Sequence, residues 1–520
     1  MGSNMRAAAA LPSFFIISFF TYKSYYFDIH DFANYYYGAY GIIKGFYSSK
    51  IYDALYFNQT LSEFGLEGLF VNFYPNTPFI SWFFLPFAVV DWPLAKVSFN
   101  AIASIFFLWS LWRLKEHYEL SNWLIILIPV FFFMPIRNNL LFGQTYLLLF
   151  ALLGEGLMRY DNGEKWIASL LWAIAIMLKV FPVVLFLWLL VKKDIRSFVF
   201  LACSCAFLIF VSIPFVGFES WQHFIFEVLP RSSSGDIYDG FTIKAKSVLI
   251  FLKNLFVYDE MLNPHPYIAS EFLYTVISAI FKSTIVLIGI AATWQYRHKS
   301  YVSFAIWIFI SLMIGPTNSS YGKVLLIFIM MVIFKEFKSD QMMIISAVLL
   351  VVIANLPTNW FYELPLLFSL PVIYVQIALL IIIVFAFKLR FNSKIFASFF
   401  LIFSCMGLNQ LSESPYEYVI ADQRHPLILS SIGEKDGLLI YSFWDQGGEF
   451  LQSTTYPISK MTKEEVEIRN NNIYYKGKRM TNSSDNKMEA YLVNEKEVLF
   501  LSDYKRGEGC YALRKISIPY

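Results

Sequence analysis

A chain of 520 residues that is 57% hydrophobic, 19% aromatic and only 15% charged, with mean hydropathy +0.54, lacks the polar surface of a soluble protein of its size. Its 41 basic and 38 acidic side chains leave a net charge of +3, too balanced to argue for a nucleic-acid partner. Cys203, Cys205 and Cys405 sit in apolar runs and Cys510 near the end, so no disulfide framework is expected; Cys203 and Cys205 have no partner ligands nearby for a zinc site.

Apolar runs of membrane-spanning length recur from Ala7 to Leu408. The first continues into Phe19, Phe20, Tyr22, Tyr25 and Tyr26, an aromatic flank that reads as a transmembrane helix, not a removed signal peptide. Basic clusters follow the runs at Arg113/Lys115, Arg159/Lys165, Lys192/Lys193/Arg196, Arg297/Lys299, Lys335/Lys338 and Lys388/Arg390/Lys394. If these are cytoplasmic, the connections at roughly 27–77, 137–143, 218–267, 315–322 and 355–365 face outward. Trp166 to Val191 is long enough to cross once, but basic loops flank it on both sides. Lys179 followed by Pro182 breaks it into two short helices meeting near the outer leaflet. About thirteen crossings result, beginning inside and ending outside.

After Leu408 the composition turns polar. Short alternating runs (Gly437 to Trp444, Ile473 to Tyr475, Glu497 to Leu501) are separated by turn clusters at Asn470 to Asn472 and Asn482 to Asp485, an antiparallel β pattern. The segment is too short for a closed propeller. The expected architecture is mainly α: a polytopic transmembrane helical bundle over residues 1–408 and a small extracytoplasmic β domain over 409–520.

Most residues with chemical character fall in the outward connections. The first reads Asp28-Ile-His30-Asp31-Phe-Ala-Asn-Tyr35, with two carboxylates three residues apart at the outer end of a helix. On a helix such residues share a face. A partly desolvated carboxylate there rises in pKa toward neutrality and can act as a general base. His30 points to another face of such a helix and reads as structural.

The pattern Asp31-Phe-x-x-Tyr35, then Gly45 and Tyr52-Asp53, then Tyr74-Pro75-x-x-Pro78-Phe79 and Leu85-Pro86, resembles the opening of glycosyltransferase family 87. Leu141-Phe-Gly143-Gln144 and Leu178-Lys179-Val-Phe-Pro182 follow in order, so the likeness covers roughly 25–190 and runs on more weakly to about 335. That family lies in the GT-C superfamily and is typified by polyprenol-phosphate-mannose-dependent mannosyltransferases. The resemblance implies Asp31 as the base that deprotonates the acceptor hydroxyl, with Asp28 as second choice. By its place in the hairpin Lys179 lies near the outer leaflet, placed to meet a lipid phosphate; Gln144 is a candidate either for a sugar hydroxyl or for capping the next helix, and Arg137, Arg231, Lys244 and Lys246 are candidate phosphate contacts. Tyr35, Tyr74, Asn76, Asn318 and Tyr321 then line the substrate cavity. Two departures stand out. The late outer loop, Gly315-Pro-Thr-Asn318-Ser-Ser-Tyr321-Gly-Lys323, lacks the histidine common there, and Ala245-Lys246-Ser247 replaces an Asn-x-Ser helix start.

A sugar on polyprenyl phosphate leaves as a phosphate anion, which preorganised Lys or Arg stabilises without a metal. A single inverting displacement needs one base. Oxygen-ligand metal sites usually need more carboxylates than converge here, so no obligatory cofactor is expected. No phosphate-cradling glycine loop is present, which favours a lipid-linked donor over a nucleotide sugar. The expected partners are a polyprenyl-phosphate sugar donor, a lipid-linked or glycan acceptor and membrane lipids, at a bacterial plasma membrane with a cytoplasmic N-terminus. The rivals are a flippase for lipid-linked glycan, a glycan polymerase or ligase, and a non-enzymatic assembly protein. A transporter predicts internal repeats, and none is visible between the halves.

Overall fold

The computed structural model describes residues 3–66, 71–234, 241, 243–259, 263–315, 318–411, 419–420, 428–435, 438–444, 450–457, 461–462, 465–483, 485, 487–493, 496–503 and 511–518. Cys510, Pro316 and Thr317 lie outside the described residues, as does the side chain of Lys244. Cys203, Cys205 and Cys405 are free thiols.

The chain is mainly helical, a membrane-type bundle followed by a small β region. Trp92–Tyr118, Ile195–Val216 and Glu271–Gln295 are each long and apolar enough to cross a membrane. Asn122–Phe131 and Phe133–Phe142 make a fourth such span if taken together, bent by 60°. The bend follows Pro129, which removes a helix hydrogen bond, and falls at Phe132, whose ψ of 35° leaves the helical range. Shorter apolar helices include Lys165–Leu178, Ser300–Ile314, Asp340–Asn355 and Pro371–Ala386. The connection expected at 137–143 is instead the second half of the bent pair, a helix that runs until Gly143 at φ +66° ends it.

The bundle has two chemically different ends, and the basic clusters collect at one of them. Arg113 and Arg159 both reach Glu155 (2.8 and 3.1 Å), and Arg159 also reaches Glu164 (2.6 Å). Lys165 pairs with Asp194 at 2.7 Å, Lys192 donates to Ser300, Lys299 pairs with Glu336, and Lys335 donates to the carbonyl of Tyr118. These contacts join segments far apart in sequence, which only a common end can do.

The Lys165–Asp194 pair also settles the path between them. Lys165–Leu178 travels away from this end by about 20 Å, at 1.5 Å per residue. Lys179 is extended (φ −149°, ψ 125°), Phe181–Val183 forms a 3-10 turn, and Val184–Val191 returns. The helix breaks where Lys179 and Pro182 predicted, and Lys179 stands at the far end.

In the C-terminal region, Glu497–Ser502 pairs antiparallel with Lys487–Val493 on one side and Ala512–Ser517 on the other, with Val498 opposite both Leu492 and Ile516. Val419–Ile420 and Met461–Thr462 flank these three as the edges of a five-stranded sheet. Two three-stranded sheets complete the region: Ile428–Lys435, Leu438–Trp444 and Phe450–Pro457; and Val466–Arg469, Asn472–Tyr475 and Lys478–Arg479. Asn470 and Asn471, at φ +48° and +59°, make the tight turn that the asparagine cluster predicted. Alternate residues Val498 and Phe500 pack with Val466, Ile473, Leu492 and Ile516 in one small core. The last helix before this region, Ser393–Leu411, runs three residues beyond the boundary expected at Leu408.

Candidate functional site

The first long connection leaves the helix Ser3–Tyr26, and the backbone then turns through His30 at φ +49°. Asp28 therefore lies in the turn, and Asp31 becomes the residue before the helix Phe32–Lys44. The two carboxylates do not share a helical face, because no helix spans them. Asp28 is exposed, and its backbone carbonyl accepts from Lys96 Nζ at 2.6 Å. Asp31, with 29% of its side chain exposed, faces the bundle.

Gln144 fixes the Asp31 carboxylate. Its Nε2 donates to Asp31 Oδ2 at 2.7 Å, and its Oε1 accepts from the buried Tyr35 hydroxyl at 2.7 Å. The geometry arises because Gly143 ends its helix in the left-handed region, and a Cβ there would stand 2.7 Å from Phe32 Cβ. That close approach brings the start of the helix Phe32–Lys44 against Gln144. His30 stacks on Phe142 at 3.9 Å between ring centroids, with Nδ1 3.2 Å from Asp31 Oδ1.

Lys179 comes from the break in the hairpin. Its ammonium donates to Asn76 Oδ1 at 3.3 Å and lies over the rings of Tyr35 (5.1 Å) and Tyr146 (5.8 Å). Asn76 is held in turn: its Nδ2 donates to Phe73 C=O, its own carbonyl accepts from Tyr52, and the neighbouring Thr77 hydroxyl donates to Met177 C=O. Tyr74, joined to Pro75 by a cis peptide, donates to the carbonyl of Val228 at 3.0 Å and so ties the first long connection to the segment that follows Ile195–Val216. Tyr321 packs on Tyr146 (5.4 Å) and Phe142 (6.4 Å). Asn318 N–H donates to Ala245 C=O at 2.7 Å.

Burial by itself raises the pKa of Asp31. The contact with His30, the bond from Gln144 and the positive charge of Lys179 outweigh it, and the carboxyl is held below its ordinary value of 3.8. The expectation of a carboxylate raised toward neutrality is thereby corrected: three polar neighbours, His30, Gln144 and Lys179, were invisible to an argument from desolvation alone. Asp31 is ionised at neutral pH. Among the described residues, no three or more His, Cys, Asp or Glu side chains gather in a group that could hold a metal ion.

Asp31, Tyr35, Asn76, Gln144 and Lys179 thus come together, with Tyr321 beside them. Arg137 lies on the adjoining helix and donates to Asn138, which reaches Ser320. Arg231 is elsewhere, 3.3 Å from the fully buried Asp503 of the β region, where Tyr511 also donates to Asp53 at 2.9 Å. Arg231 also stands 3.9 Å from Glu227, one turn earlier on its own segment. Sequence reasoning missed three side chains. His30 was read as structural, although a histidine beside an aspartate signals a possible pair. Lys96 and Lys323 are almost completely buried, at 0% and 1% exposure. Lys96 signals itself as a lysine in an otherwise apolar run, whereas Lys323 closes a polar loop and gives no such sign.

Residues 73–316 match the model of glycosyltransferase family 87, the family suggested by the motifs. The matched segment takes in Tyr74, Asn76, Arg137, Gln144, Lys179, Arg231 and Lys246, while Asp28, Asp31 and Tyr35 precede it and Asn318, Tyr321 and Lys323 follow it. Among curated proteins and among solved structures, nothing matches the chain.

Proposed function

We propose, from the premise that residues 73–316 belong to glycosyltransferase family 87, that this membrane protein is an inverting GT-C-type enzyme. It transfers a hexose, mannose-like, from a polyprenyl-phosphate donor to a lipid-linked or glycan acceptor. The observation that carries the reading is the ionised Asp31 carboxylate beside Lys179, at the end of the bundle opposite the basic clusters. With those clusters in the cytoplasm of a bacterial cell, the site and the β region face outside.

The acceptor oxygen attacks the anomeric carbon from the face opposite the phosphate and forms the new C–O bond. The C–O bond to phosphate breaks, and its electron pair stays on the phosphate, which departs as polyprenyl phosphate with one more negative charge. The acceptor proton passes to Asp31. No covalent enzyme intermediate arises, which accounts for one base where a retaining enzyme needs a nucleophile as well. Cationic side chains at the outer end stabilise the charge developing on the phosphate.

The test is transfer of radiolabelled sugar from defined polyprenyl-phosphate donors by purified full-length protein. Asp31→Asn preserves shape and the bond from Gln144 but accepts no proton, so turnover is expected to fall about 10²- to 10⁴-fold. Donor binding is expected to persist. Turnover by Asp31→Asn within threefold of wild type would refute the base role. Failure of every polyprenyl-phosphate sugar to serve as donor would refute the donor class.

A further inference from the structure

The β region meets the bundle through two polar contacts that come from one end of its five-stranded sheet. Glu497–Ser502 is the central strand and Ala512–Ser517 its neighbour, with Ser502 opposite Ala512. Asp503 follows the first of these strands and Tyr511 precedes the second, so antiparallel pairing sets the two side by side. Asp503 is fully buried and stands 3.3 Å from Arg231, while the Tyr511 hydroxyl donates to Asp53 Oδ2 at 2.9 Å. The strand end that carries Asp503 is itself anchored. Ser502 donates to Asp485 Oδ2, and Asp485 Oδ1 accepts from the buried Lys487 at 2.8 Å. The helix Ala54–Glu63, which begins beside Asp53, also runs against the strand Ile428–Lys435.

On the bundle, the two receiving segments form one packed unit. Tyr52, the neighbour of Asp53, is fully buried, with its ring 5.2 Å from Phe73, 5.6 Å from His223 and 6.2 Å from Phe224. Its hydroxyl donates to Asn76 C=O at 2.8 Å. Three residues before Arg231, the carbonyl of Val228 accepts from Tyr74 at 3.0 Å. Both lines of contact therefore end on the short turn from Tyr74 to Asn76. Asn76 Oδ1 accepts from Lys179 at 3.3 Å, and Lys179 lies over Tyr35, whose hydroxyl reaches the Gln144 that holds Asp31.

We infer that the C-terminal β region is a positioning element of the transfer site: docked through Asp503 and Tyr511 on Arg231 and Asp53, it holds the turn that carries Asn76 and so fixes the ammonium of Lys179. This rests on the proposed transfer reaction and gives the β region a part in it. None of the four docking residues touches the reacting atoms; all act through Asn76. A single contact would leave the region free to pivot, whereas two from adjacent strands set its orientation. A buried carboxylate at such a junction is stable only while its cation stays in place, which makes the Arg231–Asp503 contact all-or-none. A cation displaced from where charge develops loses much of its effect on the barrier.

The test uses the full chain in lipid nanodiscs, read by hydrogen–deuterium exchange and by sugar-transfer kinetics. Tyr511→Phe combined with Asp503→Asn removes the donor hydroxyl and the buried charge with little change of shape. The amides of Asn76 and Lys179, bonded to the carbonyls of Phe73 and Ala175, are then expected to exchange about 10-fold faster. Exchange in the helix Ser300–Ile314 and in the strand Glu497–Ser502 should stay within about twofold of wild type, which reports that both parts remain folded. In kinetics, kcat is expected to fall about 10-fold while KM for donor and acceptor stays within about threefold. Arg231→Lys keeps the cation and should retain most of the turnover; Arg231→Met should not, and adding Asp503→Asn to it should cost little more, because the contact is already broken.

Unchanged exchange at Asn76 and Lys179, or faster exchange confined to residues 50–53 and 229–234, would make the β region a tether only and overturn the inference. Faster exchange throughout the chain would do so too, since it reports a general loss of stability. A rise in KM with kcat preserved would make the region a substrate-binding surface instead. The transferase reading is judged separately. Exchange coupled as expected in a protein that transfers no sugar would leave the positioning path standing and sink that reading, whereas a double variant with wild-type kcat would do the reverse.

Discussion

Replacing Gln144 by leucine probes the contact that holds Asp31 in its working position. Leucine keeps most of the volume but removes two hydrogen bonds, from Nε2 to Asp31 and from the Tyr35 hydroxyl to Oε1. The bond to the carboxylate is worth about 1.5–3 kcal/mol, and a buried hydroxyl left without an acceptor costs about 1–3 kcal/mol. The Thr145 side chain beside Tyr35 recovers part of the second loss, so the expected destabilisation is about 2–4 kcal/mol. Tyr35→Phe alone should cost about 1 kcal/mol, and Tyr35→Phe with Gln144→Leu should be more stable than Gln144→Leu, because the orphaned hydroxyl is gone. Chemical unfolding in mixed micelles measures the cycle, with a coupling of about 1 kcal/mol or more expected. Turnover should fall about 10- to 100-fold, since the carboxylate loses its fixed orientation while remaining ionised. If the two substitutions add to within about 0.3 kcal/mol, Gln144 does not link Tyr35 to Asp31 and the reasoning fails.

The pH dependence has a definite sign. Asp31 is held below its ordinary value, so its contribution to stability is present above pH 3.8 and is lost as pH falls through its folded-state pKa. Turnover is therefore expected to show no acid limb above pH 4.5 that depends on Asp31, and Gln144→Leu should move any acid limb upward; stopped assays across pH 3–8 would reveal a contrary order. Gly143→Ala forces a Cβ into 2.7 Å contact with Phe32 at a left-handed backbone position, which should destabilise by about 1–3 kcal/mol and reduce turnover together with the melting temperature. For sidedness, cysteine at Ser48 should label from outside intact cells and cysteine at Lys193 only after permeabilisation, in a background without native cysteines; the opposite pattern would invert the orientation.

What the sequence disclosed, it disclosed through residues whose effect is local. Lys179 and Pro182 interrupt a helix wherever they occur, and the flanking basic residues demand that both ends return to one side; the Lys165–Asp194 pair is the result. Asn470 and Asn471 announce their own turn. What it withheld depends on distance along the chain. Gln144 lies 113 residues from Asp31, and nothing in a helix-start glutamine says which carboxylate it will meet. The left-handed His30 likewise broke the supposed common face of Asp28 and Asp31, a single backbone angle that a spacing rule does not anticipate. Arg231 was equally beyond reach: its contact with the buried Asp503, 272 residues on, comes from a region whose docking the sequence did not specify.

In the transfer reaction proposed above, the lowered pKa of Asp31 bears directly on mechanism. A carboxylate so well solvated by its neighbours is a poor base toward a resting alcohol, which argues against full deprotonation before attack. As the acceptor oxygen bonds to the anomeric carbon, however, its proton becomes strongly acidic, and a weak base at fixed distance is then sufficient. An oxocarbenium-like transition state, in which the bond to phosphate is far broken before the new bond is complete, suits that order. Its barrier depends on how well the departing charge is met, so catalysis should be more sensitive to the cations facing the phosphate than to the basicity of the carboxylate. A small Brønsted dependence on acceptor pKa, measured with a series of fluorinated acceptor alcohols, is the expected signature. A steep increase in rate with acceptor acidity would instead require proton removal ahead of bond formation, for which Asp31 in this environment is badly tuned.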